Sequence, residues 1–532
     1  MSYLTTVFNK KKTPQTQPLP GANQVPNAAG GFVFAVDDWA RLARFLVLGA
    51  EGGSYYASEK ALSAENAAAV LRCIAGDGPR AVREIVSVSE AGRALKNDPA
   101  IFALALAASQ GNDETRRDAL NALPHVCRTG THLFHFAQFV DSMRGWGRGL
   151  RAAVGRWYND KNVRDLAYQA VKYGQRDGWS HRDLLRLSHP KPDTDVRRIL
   201  YHWITQGWEG IGTEPHDEAD LRIVWAAEKA KVPGTTAQTV AELIRRYDLP
   251  REAVPTGLLS EPIIWEALLE RMPLTALIRN LATLTRVGVL DGREWREKVA
   301  EAITDAKRLK SARVHPIAVL SALRTYAQGH GERGKNTWKP SPKIVDALDG
   351  AFYLSFGNIE PAGKRFVLAL DVSGSMGWGQ IAGVPGLTPR DASAAMALIT
   401  AATETATETV AFQTELTRLA ISPRQRLDDA VRAVSGLPFG ATDCAQPMLW
   451  ATKHKVEADA FVVYTDSETF AGAVHPVQAL REYRQKTGIA ARLIVVGMVS
   501  NGFSIADPED GGMLDVVGFD TAAPQVMADF VR

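Results

Sequence analysis

The chain has 532 residues, 45% hydrophobic and 23% charged, with a formal net charge of +3, a length that exceeds one hydrophobic core and predicts two domains of ordinary soluble composition. No apolar run approaches the roughly 18 residues of a membrane helix, and Met1-Ser2-Tyr3-Leu4-Thr5-Thr6-Val7 lacks the apolar stretch of a secretory signal, so a cytoplasmic protein is expected. Cys73, Cys127 and Cys444 are too few and too far apart for a disulfide framework or a C-x-x-C zinc pair, and are expected as buried thiols.

Residues 8–30, with Lys10-Lys11-Lys12 and several prolines, predict a mobile basic arm or an extended strap. From about 36 to 350 the pattern changes to helices of ten to sixteen residues with short breaks. Asp37-Asp38 precedes Trp39, Leu42, Phe45 and Leu46 at helical spacing, while Asp98-Pro99 and Glu261-Pro262 each open an apolar run with proline at the first helical position. So many short helices predict a solenoid, although no fixed-period motif is present. Residues 356–532 hold 14 Lys+Arg against 20 Asp+Glu, net −6, which leaves +9 on residues 1–355. A positive body with an acidic appendage suits a phosphate-binding platform, and a solvated surface would show the same balance.

Within the helical region, bases and aromatics interleave. Trp146, Arg148 and Arg151 lead to Trp157-Tyr158, and then Lys172, Tyr173, Arg176, Trp179, His181, Arg182, Arg186, His189 and Lys191 follow in twenty residues. Arg and Lys meet phosphates, and aromatic or His rings offer faces to unstacked bases, which is how single-stranded nucleic acid is held with little sequence preference. For Trp157 and Trp179 burial in a helix pair is the competing expectation. His181 and His189 are too far apart for an H-E-x-x-H zinc pair. A second basic group lies at Arg279, Arg313, Arg333 and Lys335. Gly329-His330-Gly331-Glu332-Arg333-Gly334-Lys335-Asn336 satisfies G-x-G-x-x-G and most of a Walker A loop, but the preceding run Ile317 to Gln328 predicts a helix where both loops need a strand, and Asn336 replaces the Ser/Thr that would hold Mg²⁺.

From Gly363 onward strands alternate with helices: strands at 365–371, 408–413, 460–465 and 492–497, helices at about 389–405, 425–434, 443–454 and 475–486. Thr388-Pro389-Arg390-Asp391 supplies an N-cap, a first-position proline and an acidic first turn. This predicts a doubly wound sheet, whose ligands bind beyond the carboxyl ends of its strands. There Asp371-Val372-Ser373-Gly374-Ser375 runs out of an apolar strand into a loop, presenting a carboxylate and two hydroxyls at i, i+2 and i+4, and Mg²⁺ takes such hard oxygens while keeping waters. Taken alone, D-x-S-x-S also describes a loop bonding its own backbone. Gly440-Ala441-Thr442-Asp443 and the strand ending Thr465-Asp466 supply further oxygens. No histidine lies near Ser373 or Ser375 in sequence to make a nucleophile with its base, so no enzyme activity is expected.

The order D-x-S-x-S, Thr, Asp resembles the metal-ion-dependent adhesion site of von Willebrand factor A domains. By position the resemblance makes Asp371, Ser373, Ser375 and Thr442 near ligands of a divalent cation, with Asp466 acting directly or through water. If Asp466 binds through water, a single carboxylate faces a dication, which then seeks an outside anion, in that family typically a partner's carboxylate.

Thr131-His132-Leu133-Phe134, the stretch Gly178 to His189, Met272-Pro273-Leu274-Thr275, Ala312-Arg313-Val314-His315-Pro316, Gly440 to Cys444 and Val499 to Pro508 together resemble the Ro 60 kDa autoantigen family, and in length and short loops a bacterial member. The resemblance implies an α plus α/β chain: an N-terminal arm (1–30), a TROVE domain of HEAT-like helical repeats forming a ring (31–355), and a doubly wound von Willebrand factor A domain (356–532) that closes it. It further implies a monomer that holds Y-type small noncoding RNA outside a basic hole, accepts single-stranded RNA 3′ ends through it, and works beside a 3′-to-5′ exoribonuclease. A metal-dependent protein-binding module without RNA, or a chelatase-like subunit needing an ATPase partner, are the competing classes.

Overall fold

The computed structural model describes residues 12–51, 54–207, 219–331, 336–356, 359–381, 384, 386–423 and 425–532. It separates into two units, one made of 70–92 with 96–355 and the other of residues up to 69, 93–95 and 356–532. Among the described residues no helix is long and apolar enough to cross a membrane.

The chain begins with a strap. Strand β1 (Gln24–Pro26) pairs antiparallel with β2 (Phe32–Ala35). Polar sequence predicted an arm over 8–30, and from residue 12 on it is held in the sheet-bearing unit, with Gln15 fully buried and Leu19 8% exposed. The helix Asp38–Leu48 joins the same unit. Its Arg44 is buried, and Nη2 donates to both carboxylate oxygens of Asp515 at 2.6 and 2.7 Å, which compensates the buried charge. Long-range pairing, invisible to periodicity, therefore groups residues 31–69, with the predicted helix Asp38–Leu48, in the sheet-bearing unit.

The other unit is helical. Asn112, Asn162, Ser180, Thr194 and Thr236 each cap a helix by accepting a backbone N–H, worth about 1 kcal/mol apiece. Asp98–Gln110 packs on Gly130–Met143, Arg148–Asp160 on His181–Ser188, Ala237–Tyr247 on Pro262–Leu269, and Arg293–Thr304 on Pro342–Leu354. Helices that pack mainly on near neighbours in sequence make a helical-repeat body. Trp157 and Trp265 are each 1% exposed, and their indole N–H groups donate to Cys127 O (2.6 Å) and Leu259 O (2.8 Å). All three cysteines are buried thiols outside any disulfide. A two-residue hairpin, β3 (Gln175–Arg176) and β4 (Trp179–Ser180), turns at Asp177-Gly178 with φ of 53° and 79°. Positive φ at both central residues is the twist such a tight hairpin requires, and Asp-Gly supplies it.

Strands β5 (Arg365–Asp371), β6 (Ala406–Phe412), β7 (Leu416–Leu419), β8 (Ala460–Thr465), β9 (Arg492–Gly497) and β11 (Met513–Val517) form one sheet in the order β11-β9-β8-β5-β6-β7, parallel except for β7. The short β10 (Phe503–Ser504) instead pairs with β2. Residues alternate between faces, so Val367, Ala369, Phe461 and Val463 pack with Met448, Val477, Leu480 and Tyr483, while Leu368 and Leu370 point the other way. Both faces are covered, and six of the seven β5 residues are buried. The four predicted strands are present, with β6 spanning 406–412. The predicted helices appear as Pro389–Thr403, Leu427–Ser435, Gln446–His454 and Pro476–Thr487. Strands β7 and β11 and the helix Ala523–Val531 are additions.

Candidate metal centre and nucleic-acid interface

Parallel pairing sets β5 beside β8 in register, Leu370 opposite Tyr464, so the carboxylates at their ends emerge at one edge. Asp371, Ser373, Ser375, Thr442 and Asp466 are all buried, at 0, 1, 6, 2 and 5% exposure. Ser373 and Ser375 hydroxyls lie 3.2 Å apart. Asp371 accepts from the Ser373 amide (2.9 Å) and the Thr465 hydroxyl (2.6 Å). The first of these is the loop bonding its own backbone, and each carboxylate oxygen keeps a lone pair for a cation or its water. The loop carrying Thr442 is tied to this one by Gly374 N–H to Gly440 O at 3.4 Å. Opposite, Phe470 and Ala471 amides donate to Thr442 O at 3.1 and 3.0 Å.

The electrostatics ask for positive charge. Burial, then the neighbouring Asp466, push the Asp371 carboxyl up to about 7. Burial raises Asp466 too, partly offset by a hydrogen bond from Ser375. Glu468, 4% exposed, is pushed up to about 8 by burial and then by Asp466. Arg390 donates to the carbonyls of Val372, Ser373 (3.4 Å) and Leu437 (3.2 Å), so its hydrogen bonds shape the D-x-S-x-S loop while its charge acts on Asp371 only through space. Among the described residues no three His, Cys, Asp or Glu side chains converge on one metal position, so a cation here depends on hydroxyls. Buried carboxylates beside paired hydroxyls suit a hard divalent ion such as Mg²⁺.

The strap holds two of these loops. Gln15 Nε2 donates to Asp443 Oδ1 (2.7 Å) and Val474 O (2.9 Å), and its Oε1 accepts from Thr469 Oγ1 at 2.5 Å. Asn27 donates to Thr469 O at 2.9 Å, and the Ala29 amide to Glu468 at 3.0 Å. Gly31 runs so close that an added Cβ would lie 1.9 Å from Thr469 O. Sequence reading missed Gln15, Asn27 and Glu468, and gave Thr465 no role of its own. Thr465-Asp466-Ser467-Glu468 was the available signal, a polar run at a strand end.

In the helical unit the basic cluster divides by exposure. Arg182, Arg186 and His189 are exposed at i, i+4 and i+7, forming one stripe on the helix His181–Ser188 and its end. Among the described residues the His189 ring has no hydrogen-bond partner. Arg176 is exposed on the hairpin, and Arg148, Arg151 and Lys191 are exposed nearby in sequence. Lys172 is half-buried, its ammonium 5.4 Å from the ring centroids of both Tyr168 and Tyr173. Trp179 is half-buried, donating to Gln138 at 2.8 Å.

His181 does not belong to that surface. It is 3% exposed, 2.8 Å from Tyr158 Oη, and its ring lies 4.8 Å from Phe134. Burial lowers its pKa to about 4, so it is a neutral core residue and has no face for a base. Its helical partners Leu184 and Leu185 share the buried side. Arg279 and Arg313 are exposed on other parts of the body, Arg313 packed against Gly92. Arg333 and Lys335 lie outside the described residues. The chain entering their loop is the helix Pro316–Gln328, ended by Gly329 at φ 75°, not the strand that a phosphate loop needs.

The chain matches the TROVE domain over residues 25–222 and 244–325 and the Ro60 vWA domain over 365–531. A protein of Deinococcus radiodurans named RNA-binding protein RO60 is 46% identical over 100% of this chain and 99% of its own length. One of the same name in Caenorhabditis elegans is 36% identical over 98% and 92%. The crystal structure of the Deinococcus radiodurans RO (RSR) protein superposes with a TM-score of 0.70 at 45% identity, covering 93% of this chain and 99% of that one. A helical-repeat TROVE body followed by a mixed-sheet vWA domain, matched along its full length, places this chain in the Ro60 family.

Proposed function

We propose that this protein binds RNA, holding small noncoding RNA of the Y type and single-stranded 3′ ends of structured or defective RNAs for processing and decay by a 3′-to-5′ exoribonuclease. The observation that carries this is the stripe Arg182, Arg186 and His189 on one exposed helix face, where among the described residues neither guanidinium is in an ion pair and the imidazole has no hydrogen-bond partner. Cations on a rigid face meet phosphates, and the imidazole adds a ring for an unstacked base. The names of the relatives agree with RNA as the ligand. The protein holds RNA rather than cutting it, and acts as a cytoplasmic monomer. RNA crosslinked to the chain in cells should be enriched in small structured species, and Arg182→Ala/Arg186→Ala should lose them; recovery of the same RNAs by the variant would contradict the assignment.

The vWA unit adds a divalent-cation site on Asp371, Ser373, Ser375 and Thr442, with Asp466 direct or through water. The cation would complete its coordination with a partner's carboxylate. A specific observation favours a protein there: Tyr55 (56% exposed), Trp378 (49%) and Phe439 (73%) are large exposed aromatics, Trp378 three residues past Ser375 and touching Tyr55. Exposed aromatics are frequent anchors of protein interfaces.

A further inference from the structure

A cleft of about 520 Å³ opens in the helical unit between the end of the helix Leu274–Arg286, the turn Val289–Asp291, the helix Arg293–Thr304 and residues 337–343. Pockets of roughly 300–1,000 Å³ hold small ligands or single groups of larger ones. Its wall carries Arg286, Arg296, Lys339 and Lys343 against one carboxylate, Asp291. Among the described residues none of these four cations is in an ion pair. Arg296 Nη1 is anchored on the carbonyls of Leu290 and Asp291, both at 3.3 Å, and Arg286, Lys339 and Lys343 are exposed. Four cations face Asp291, with Glu297 acting on Arg296 and Lys343 from beside the cleft, which leaves a net positive wall whose mutual repulsion a bound polyanion removes.

Beside them lies Trp338, half-buried and fixed. Its Nε1 donates to Tyr326 O at 2.9 Å, and its ring stacks on that of Tyr326 with centroids 6.4 Å apart and planes 22° from parallel. With the N–H already used, what remains of the indole is apolar surface. A phosphodiester strand brings one charge per nucleotide together with a flat base, which matches cations beside an aromatic platform. An acidic peptide matches only the charges.

We propose that this cleft is a second binding site for single-stranded RNA, with phosphates on Arg286, Arg296, Lys339 and Lys343 and a base against Trp338. It rests on the RNA-binding reading above and extends it to a separate place: the cleft helices pack with one another and with Pro316–Gln328 and Pro342–Leu354, whereas His181–Ser188 packs on Arg148–Asp160 and Asp195–Gln206.

The test measures binding of a labelled oligouridylate of about twelve nucleotides to the full chain across salt concentrations. Arg286→Ala/Lys343→Ala is compared with Arg182→Ala/Arg186→Ala and with Lys60→Ala/Lys453→Ala, a charge-matched control in the other unit. The cleft variant is expected to lose affinity on the order of tenfold at about 0.1 M salt, with a slope of log K on log salt lower by about 1.4. The control should not change, and inorganic polyphosphate should bind the wild type more weakly than oligouridylate. If the cleft variant matches the control while Arg182→Ala/Arg186→Ala weakens, the cleft is not an RNA site and the first reading stands. If the wild type binds no oligouridylate, both fall. If polyglutamate binding is lost in the cleft variant while oligouridylate binding persists, the occupant is an acidic polypeptide and the proposal is overturned.

Discussion

The two candidate sites are built in opposite ways. The metal centre is assembled from buried groups at strand ends, where backbone pairing fixes each side chain and Asp371 is fully enclosed. The RNA surface is a set of exposed side chains on helix faces and a hairpin, where Arg182 and Arg186 are aimed at solvent. In the first, a missing oxygen cannot be replaced, because its neighbours are held by Gln15, Arg390 and Thr465. In the second, charge is shared, so each loss is partial. Buried geometry makes a site all-or-none; exposed charge makes it graded.

Asp371→Ala gives the largest expected effect. Divalent-cation binding, followed by calorimetric titration with Mg²⁺, should disappear, while affinity for RNA stays within about twofold. Stoichiometric Mg²⁺ in that variant would remove Asp371 from the ligand set. Arg182→Ala/Arg186→Ala should act in mirror image, weakening single-stranded RNA on the order of tenfold at about 0.1 M salt and leaving Mg²⁺ binding intact. Coupled losses in either variant would break the separation of the two sites.

Gln15→Ala probes the support of the metal centre from outside it. Loss of the bonds to Asp443 and Thr469 leaves a buried carboxylate under-satisfied, costing about 1–3 kcal/mol, and Mg²⁺ affinity should fall with it. Unchanged affinity in a folded variant would show that the strap stabilises the unit without setting the site.

The helical unit should betray its buried histidines in acid. Burial holds His181 at about 4, and burial with the nearby Arg128 holds His132 at about 4. Above the unfolded value near 6.5 both are neutral in either state and stability is complete. Between about 6.5 and 4 the unfolded chain binds protons that the folded one refuses, so stability falls with pH by about 1.4 kcal/mol per unit for each histidine. Denaturant melts followed through that window check the sign. The smallest effect belongs to His189→Ala, a few-fold loss of RNA affinity with unchanged salt dependence at a pH where the ring is neutral.

Much of the vWA unit is legible in the sequence because fully buried parallel strands read as continuous apolar runs and their ends carry the candidate ligand oxygens. Asp371, Ser373, Ser375 and Asp466 lie as neighbours at adjacent strand ends, and the loop of Thr442 is tied to theirs through Gly374 and Gly440. Strands β7 and β11 escape notice because Leu-Thr-Arg-Leu and Met-Leu-Asp-Val-Val are short, with edge positions part-exposed. The strap is opaque for a different reason: Gln15 and Asn27 are ordered by partners more than 400 residues away. In the basic cluster, composition cannot say which way a side chain faces. His181, however, shares its helical face with Leu184 and Leu185, and that spacing alone marks it as core.

The most direct test of the account is the slope of log K against log salt for a structured RNA with a single-stranded 3′ tail, measured on the wild type and on Arg182→Ala/Arg186→Ala. Each phosphate contact contributes about 0.7, so a slope lower by about 1.4 is predicted together with weaker binding. An unchanged slope and affinity would place the RNA elsewhere on the protein and contradict the central claim.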